Sequence, residues 1–424
     1  MSGLPDGWGN TKLGKVIETN KSSIDRNYQH SEIYYLDTGS ITQGTIESLQ
    51  PISLNEAPSR AKRLVRDKSI VYSTVRPIQR HYGIIDNPVV NLVVSTGFTV
   101  IESVESKSSA KFIYYFLTAD KIVQKLDMIA NGSVSTYPSI KPSDIENLSI
   151  NLPSLPEQKT IANILSSFDE KIELLREQNE TLETLAQTIF KEWFVHFNYP
   201  DATGEMVDSE FGEIPKGWRV GRLEEIIEFT NGYAFKSKEL IKSPTNNSYS
   251  IFKMGHIKKG GGFNSAKTKD YIEKERCNKL AKYVLKKGDI LMCMTDMKDS
   301  TSLLGHTALM FDDDSFIVNQ RVGLIRAHNK IHIDYPWLYL LTNNINFISD
   351  LRKRANSGVQ VNLSTFEIKD SPVLIPNERT NKIFDETCKS IFEKIQNNTN
   401  QIQTLTKTRD TLLPKLMCGE VRVS

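Results

Sequence analysis

Leu155 to Phe197 reads LPEQKTIANILSSFDEKIELLREQNETLETLAQTIFKEWFVHF, and its spacing decides the fold. Large apolar residues recur at Phe168, Ile172, Leu175, Leu182, Ile189 and Trp193. Asn179 and Ala186 fill the two gaps, giving an unbroken alternation of four- and three-residue steps. That is a heptad seam on a helix, and such a seam needs a second helix to cover it. Ser154 and Glu157 have the spacing of a capping box, and Pro156 lies in the first turn, where its missing N–H costs nothing. The helix is expected to start there.

The covering helix is expected in the same chain. Ile391, Ile395, Asn398, Ile402, Leu405, Arg409, Leu412 and Leu416 repeat the same steps near the C-terminus. Each seam carries one asparagine, which costs stability and sets register. The bland alternative is a pair of unrelated amphipathic helices, each packed on its own domain. What precedes each helix argues against it, because the chain is a tandem duplication. LPDGWGNTKLGKVIE (Leu4 to Glu18) recurs as IPKGWRVGRLEEIIE (Ile214 to Glu228). RDKSIVYSTVRP (Arg66 to Pro77) parallels KKGDILMCMTDM (Lys286 to Met297), and VVSTGFTVI (Val93 to Ile101) parallels FIVNQRVGLI (Phe316 to Ile325). These read as short buried strands entered from polar turns. A helical stretch and a strand ending on proline follow in each half, and the long helix starts directly after that proline.

The expected fold class is therefore α+β. Two mixed α/β domains stand in tandem repeat, separated by two long helices that form an antiparallel coiled coil. The expected divisions are a first domain at 1–153, a central helix at 154–197, a linker at 198–213, a second domain at 214–376, and a C-terminal helix with its tail at 377–424. The first seam, from Phe168 to Trp193, would be roughly 38 Å long at the helical rise.

A chain of 424 residues with 25% charged and 39% hydrophobic residues is ordinary for a soluble protein, and a net charge of +2 identifies no partner. No signal-peptide pattern or membrane-spanning run occurs, and the four scattered cysteines show no CxxC spacing. A cytoplasmic protein without a structural metal is expected. Local charge says more than the total. Arg60 to Arg80 holds seven lysines and arginines against one acid, Asp67, and Lys253 to Lys298 holds twelve that outnumber its acids. Two basic segments on two related domains suit a bipartite contact with a polyanion, whereas either alone would pass for a solvated face. The candidate DNA-binding residues are Lys62, Arg63, Arg66, Arg76, Arg80, Lys253, Lys258, Lys259, Lys267 and Lys269. Tyr72, Gln79, His81, Tyr82, Asn264, Tyr271 and Asn278 are interleaved and suit either base edges or packing.

Enzyme motifs are missing. There is no phosphate-binding GxxxxGK[ST], no HExxH, no GxSxG and no Asn/Asp-Pro-Pro-aromatic tetrad. The triple glycine Gly260 to Gly262 reads as a mobile loop. No catalytic residue is expected. The rival readings are a stand-alone nuclease or methylase, and a scaffold that does not read DNA.

These motifs together resemble the specificity subunit of a type I restriction-modification system. The resemblance rests on the paired openings Pro5-x-Gly7-Trp8 and Pro215-x-Gly217-Trp218, on GDIL (Gly288 to Leu291) with its relative Ser69 to Ser73, and on STGF (Ser95 to Phe98) with NQR (Asn319 to Arg321). PEQKTIANILSSFDEKI (Pro156 to Ile172), IFKEWFVHF (Ile189 to Phe197) and LLPKLMCGEV (Leu412 to Val421) complete it. The resemblance implies that each globular domain recognises half of a split double-stranded DNA target. It also implies that the helix pair sets the gap and docks two methyltransferase subunits, and through them the motor-nuclease subunits. S-adenosylmethionine, ATP and Mg²⁺ would then belong to those partners and not to this chain. RDKSIV stands where the second half has the fuller KKGDIL, so the shape of the first basic strand is the open point.

Overall fold

The computed structural model describes residues 5–132, 138–264, 268–297, 301–328, 332–356 and 360–423. The chain divides into two compact units, Met1–Leu174 with Gln401–Ser424, and Leu175–Asn400. The division passes through both long helices, Leu155–Phe194 and Glu378–Cys418, so each unit holds one globular body and half of each helix.

The two units repeat one another element by element. In the first, the strands Ile17–Thr19, Phe98–Ser103, Ser69–Ser73 and Tyr82–Ile85 form one sheet in that order. In the second, Ile227–Asn231, Val322–Ala327, Ile290–Cys293 and Thr307–Leu309 form its counterpart. Beside each lies a second sheet built on a parallel pair. Glu32–Leu36 runs with Leu92–Ser95 in the first unit, and Ser248–Phe252 runs with Phe316–Val318 in the second. A ribbon closes each unit, with Gly9 opposite Leu152 in one and Arg219 opposite Ile375 in the other.

The paired Pro-x-Gly-Trp openings make the same turn. The N–H of Trp8 donates to the Pro5 carbonyl and that of Trp218 to the Pro215 carbonyl, each at 3.0 Å. The third residue of such a turn has positive φ, which glycine adopts without strain; Gly7 stands at 82° and Gly217 at 87°. The turn drops each tryptophan into its core. Trp8 packs with Leu13, Phe112, Leu126, Ile161, Leu165 and Leu416. Trp218 packs with Phe190, Phe194, Trp337 and Phe384.

Every seam position is buried or half-buried in the structure, from Phe168, Ile172, Leu175, Asn179, Leu182, Ile189 and Trp193 to Ile391, Ile395, Asn398, Ile402, Leu405 and Leu412. In the first unit the start of the central helix meets the end of the C-terminal helix. Arg409 Nη1 lies 2.5 Å from Asp169 Oδ1, and Arg422 Nε lies 2.9 Å from Glu157 Oε1. In the second unit Asn398 Nδ2 donates to Asn179 Oδ1 at 3.0 Å. Rising numbers on one helix meet falling numbers on the other, so the pairing is antiparallel. Arg409 holds a seam place because its charge is answered by Asp169, which also accepts from the Tyr115 hydroxyl at 2.6 Å.

The expected capping box is only half made. The Glu157 N–H approaches Ser154 Oγ at 3.5 Å, but the Glu157 carboxylate does not turn back to the cap. Trp8 Nε1 reaches it at 3.2 Å and Arg422 holds its other oxygen, so tertiary partners outcompete the local one.

The open point of the first basic strand resolves as a reversal of charge. Lys68 (φ 64°) takes the place of Gly288 (φ 87°), and Ser69 takes that of Asp289. Ser69 Oγ accepts from the Arg66 N–H at 2.9 Å, as Asp289 Oδ2 accepts from the Lys286 N–H at 2.8 Å. The registers Ile101 opposite Ile70 and Ile325 opposite Ile290 put Glu102 and Arg326 in the same place. Arg66 pairs with Glu102 at 2.9 Å in one unit, and Arg326 pairs with Asp289 through two bonds of 2.7 Å in the other.

Candidate nucleic-acid interface

In the first unit the seven cations of Arg60 to Arg80 divide into two groups. Arg60 pairs with Asp37 at 3.3 Å, Lys68 with Asp86 at 3.3 Å, and Arg80 with Asp120 at 2.8 Å. Arg66 serves Glu102, whose side chain is 6% exposed. Moving Arg66 to a phosphate would leave that buried carboxylate without its charged partner, a loss that water on the Arg66 side partly screens. Arg66 and Arg80 thus each have a carboxylate of the chain as partner, Arg66 a buried one and Arg80 an exposed one.

Lys62, Arg63 and Arg76 remain, with no carboxylate within 4 Å among the described residues. Lys62 and Arg63 lie on the strand Ala61–Leu64, which is pinned from outside by Ser22 to Ile24. The N–H of Ile24 donates to the Lys62 carbonyl at 2.8 Å, and Arg63 Nη1 reaches Ser23 Oγ at 3.4 Å.

In the second unit Lys253 also has a carboxylate partner. Its ammonium lies 2.5 Å from Asp270 Oδ2, and Lys242 approaches the other oxygen. These hydrogen bonds, Lys242 first and Lys253 second, hold the Asp270 carboxyl below its usual range. Lys258, Lys259 and Lys269 are exposed and have no carboxylate within 4 Å among the described residues. Lys267 lies outside the described residues.

Lys258 and Lys259 sit on the arm of a tight hairpin in which Ile257 bridges Phe263. The expectation of a mobile loop at Gly260 to Gly262 is overturned. The Lys258 N–H donates to the Gly262 carbonyl at 2.9 Å, the Gly261 N–H to the Lys258 carbonyl at 3.1 Å, and the Gly262 N–H to the Thr307 carbonyl at 2.9 Å. The three glycines stand at φ 84°, 98° and 99°, and a Cβ on Gly261 would lie 2.6 Å from Asn343 Oδ1. Asn343 is itself fixed by Thr307, whose N–H donates to Asn343 Oδ1 at 3.0 Å. Glycine is needed here for a rigid turn and close approach, not for motion.

The free cations of the two units arise from different elements. Lys62 and Arg63 lie on the strand that flanks Leu92–Ser95, and the counterpart flank in the second unit is at Val284, which bridges Ile317. Lys258 and Lys259 instead follow Ser248–Phe252, the counterpart of Glu32–Leu36. These unpaired cations do not occupy equivalent places, although the strands Ser69–Ser73 and Ile290–Cys293 in the two basic segments do.

Of the interleaved aromatic residues, Tyr72 and Tyr82 are buried and stacked with centroids 5.5 Å apart, and so belong to the core. His81 Nδ1 lies 2.7 Å from the Ile41 carbonyl oxygen. Gln79 and Asn278 are exposed, and Tyr271 is half-buried on a strand. The sequence reading missed Glu102 and Arg326. The signal was available in the internal alignment, where VIE against LIR reverses charge and RDKS against KKGD puts a neutral serine where the second half has Asp289.

Comparison with known proteins follows the same division of the chain. The family model for the type I restriction modification DNA specificity domain matches twice, at residues 5–184 and 215–407. The type I restriction enzyme HindI specificity subunit of Haemophilus influenzae is 24% identical, over 98% of this chain and 99% of that protein. The MjaIX specificity subunit of Methanocaldococcus jannaschii is 29% identical, over 84% of this chain and 78% of that protein. Among solved structures, the type I restriction-modification S subunit from M. genitalium superposes with a TM-score of 0.57 at 16% identity, over 97% of this chain and 96% of that one.

Proposed function

Since the chain belongs to the family of type I restriction-modification DNA specificity proteins, we propose that it reads a bipartite double-stranded DNA target, each unit taking one half-site. The observation that carries this reading is the duplication itself. Each unit repeats one fold, and each presents cations that no carboxylate of the described residues neutralises: exposed Lys62 and Arg76 with half-buried Arg63 in one, exposed Lys258, Lys259 and Lys269 in the other. Cations left free by the fold are available to release counterions from phosphates, and that release drives binding to DNA of any sequence.

On this reading the chain performs no chemistry. The helix pair sets the length of the gap between half-sites and docks two methyltransferase subunits, through which the motor-nuclease subunits join. S-adenosylmethionine, ATP and Mg²⁺ are bound by those partners, in the cytoplasm. The test is co-expression with the methyltransferase subunit in a host free of adenine methylation, followed by single-molecule sequencing of the methylated bases. The expected outcome is methyladenine at one split motif with a gap of constant length. A stable complex without methylation would favour a scaffold, and methylation by this chain alone would make it an enzyme.

A further inference from the structure

The internal repeat supplies a comparison between two versions of one position, and it singles out Arg76. The strands Ser69–Ser73 and Ile290–Cys293 leave their sheets in the same way. The Ile140 N–H donates to the Thr74 carbonyl at 2.9 Å, as the Leu363 N–H does to the Met294 carbonyl at 2.9 Å. Val75 then bridges Ser139, as Thr295 pairs with Asn362. The next residue is Arg76 in the first unit and Asp296 in the second.

The second unit turns this residue inward. Asp296 is 7% exposed, accepting the Met297 N–H on Oδ1 and the Leu303 N–H on Oδ2, each at 2.8 Å, so the carboxylate ties its own loop. The first unit turns it outward. Arg76 is exposed, and its side chain meets no carboxylate within 4 Å among the described residues. Its backbone is left-handed at φ 46°, immediately before Pro77, a combination that costs a side-chain-bearing residue conformational energy. The turn is locked around it. Its N–H donates to the Pro138 carbonyl and its carbonyl accepts from the Gln79 N–H, at 3.0 and 2.9 Å. Glycine would satisfy this backbone better, and among the described residues no ion pair holds the guanidinium. Strain kept where the fold gains nothing marks a side chain retained for something outside the fold.

The surroundings indicate what that is. Val75 and Ile78, one residue before Arg76 and two after it in the chain, are both substantially exposed. Apolar neighbours suit the floor of a DNA groove, with its base edges and thymine methyl groups, better than the phosphate ridge, where Lys62 and Arg63 are suited to act. A planar guanidinium on a rigid turn matches the two acceptors, O6 and N7, that guanine shows in the major groove.

We propose that Arg76 is a base-reading residue of the first unit, donating two N–H groups to a guanine in that unit's half-site. The proposal rests on the function proposed above, and the second unit, with Asp296 at this place, lacks the contact. The test compares methylomes of the complex carrying the natural chain, Arg76→Gly and Lys62→Ala. Glycine accepts the left-handed backbone, so the first variant keeps its fold. The expected result is that Arg76→Gly relaxes one G·C position in one half-site, with discrimination there falling by roughly 5- to 150-fold. All other positions stay as they were, and Lys62→Ala lowers methylation while leaving the motif intact. An unaltered motif with uniformly lower methylation in Arg76→Gly would make Arg76 a phosphate contact and overturn the proposal. So would relaxation at an A·T pair or in both half-sites. A natural chain that directs no motif would overturn the function reading itself, and this inference with it.

Discussion

At the scale of single residues, the reversed ion pairs explain how two repeats keep one shape with different chemistry. Asp289 is buried to 4% exposure and answered by Arg326, while Glu102, at the place of Arg326, is answered by Arg66. The fold needs opposite charges across this corner and is indifferent to which strand carries which. The two pairs differ in hydration, because Arg66 is more than half exposed and Arg326 is not. Removal of Arg326 therefore strands a desolvated carboxylate, and Arg326→Ala should destabilise the second unit by about 3–5 kcal/mol in urea unfolding. Arg66→Ala should cost less, because water reaches the Arg66 side of its pair and screens the loss. Equal costs would show that burial does not set the worth of these pairs.

At the scale of elements, the helix pair carries its register in two asparagines. Asn179 and Asn398 meet at 3.0 Å, and Asn398 is fully buried, so each is the other's main polar partner. Asn179→Leu alone strands the Asn398 amide and should cost about 1–3 kcal/mol. Replacing both with leucine removes the unsatisfied group and should recover at least that loss, with less to hold the register. A double-mutant cycle read by thermal unfolding tests this, and additive costs would refute the coupling. The same element shows why local signals yield to tertiary ones. Glu157 has the spacing to close a capping box, yet it binds Trp8 and Arg422, because a buried indole and a charged partner outweigh one terminal amide.

At the scale of the whole molecule, the free cations of each unit act on their own phosphates. Lys62→Ala with Arg63→Ala, and Lys258→Ala with Lys259→Ala, should each reduce the salt dependence of DNA binding. The log–log slope should fall by about 0.9 for each phosphate that the variant no longer neutralises. The four-residue variant should show the sum, since the two pairs belong to separate units and share no partner. The check is a titration of the complex with duplex DNA across salt concentrations. An unchanged slope in either pair would remove those residues from the interface, whereas Arg66→Ala should leave the slope alone and lower stability.

The duplication, the antiparallel helix pair, the Pro-x-Gly-Trp turns and the family were all legible in the sequence. Heptad steps, turn glycines and repeated motifs depend on residues near in the chain or on a pattern that recurs at fixed spacing. Which cations are free was not legible. Arg66, Arg80 and Lys253 look like Lys62 and Lys258 in the chain, and only folding brings Glu102, Asp120 and Asp270 to them across 36, 40 and 17 residues. The rigid triple glycine was hidden for the same reason, since Thr307 and Asn343 hold it from outside its own segment. Periodicity is a property of the chain and survives in one dimension. Neutralisation and burial depend on distances between remote residues, and those exist only once the chain has folded.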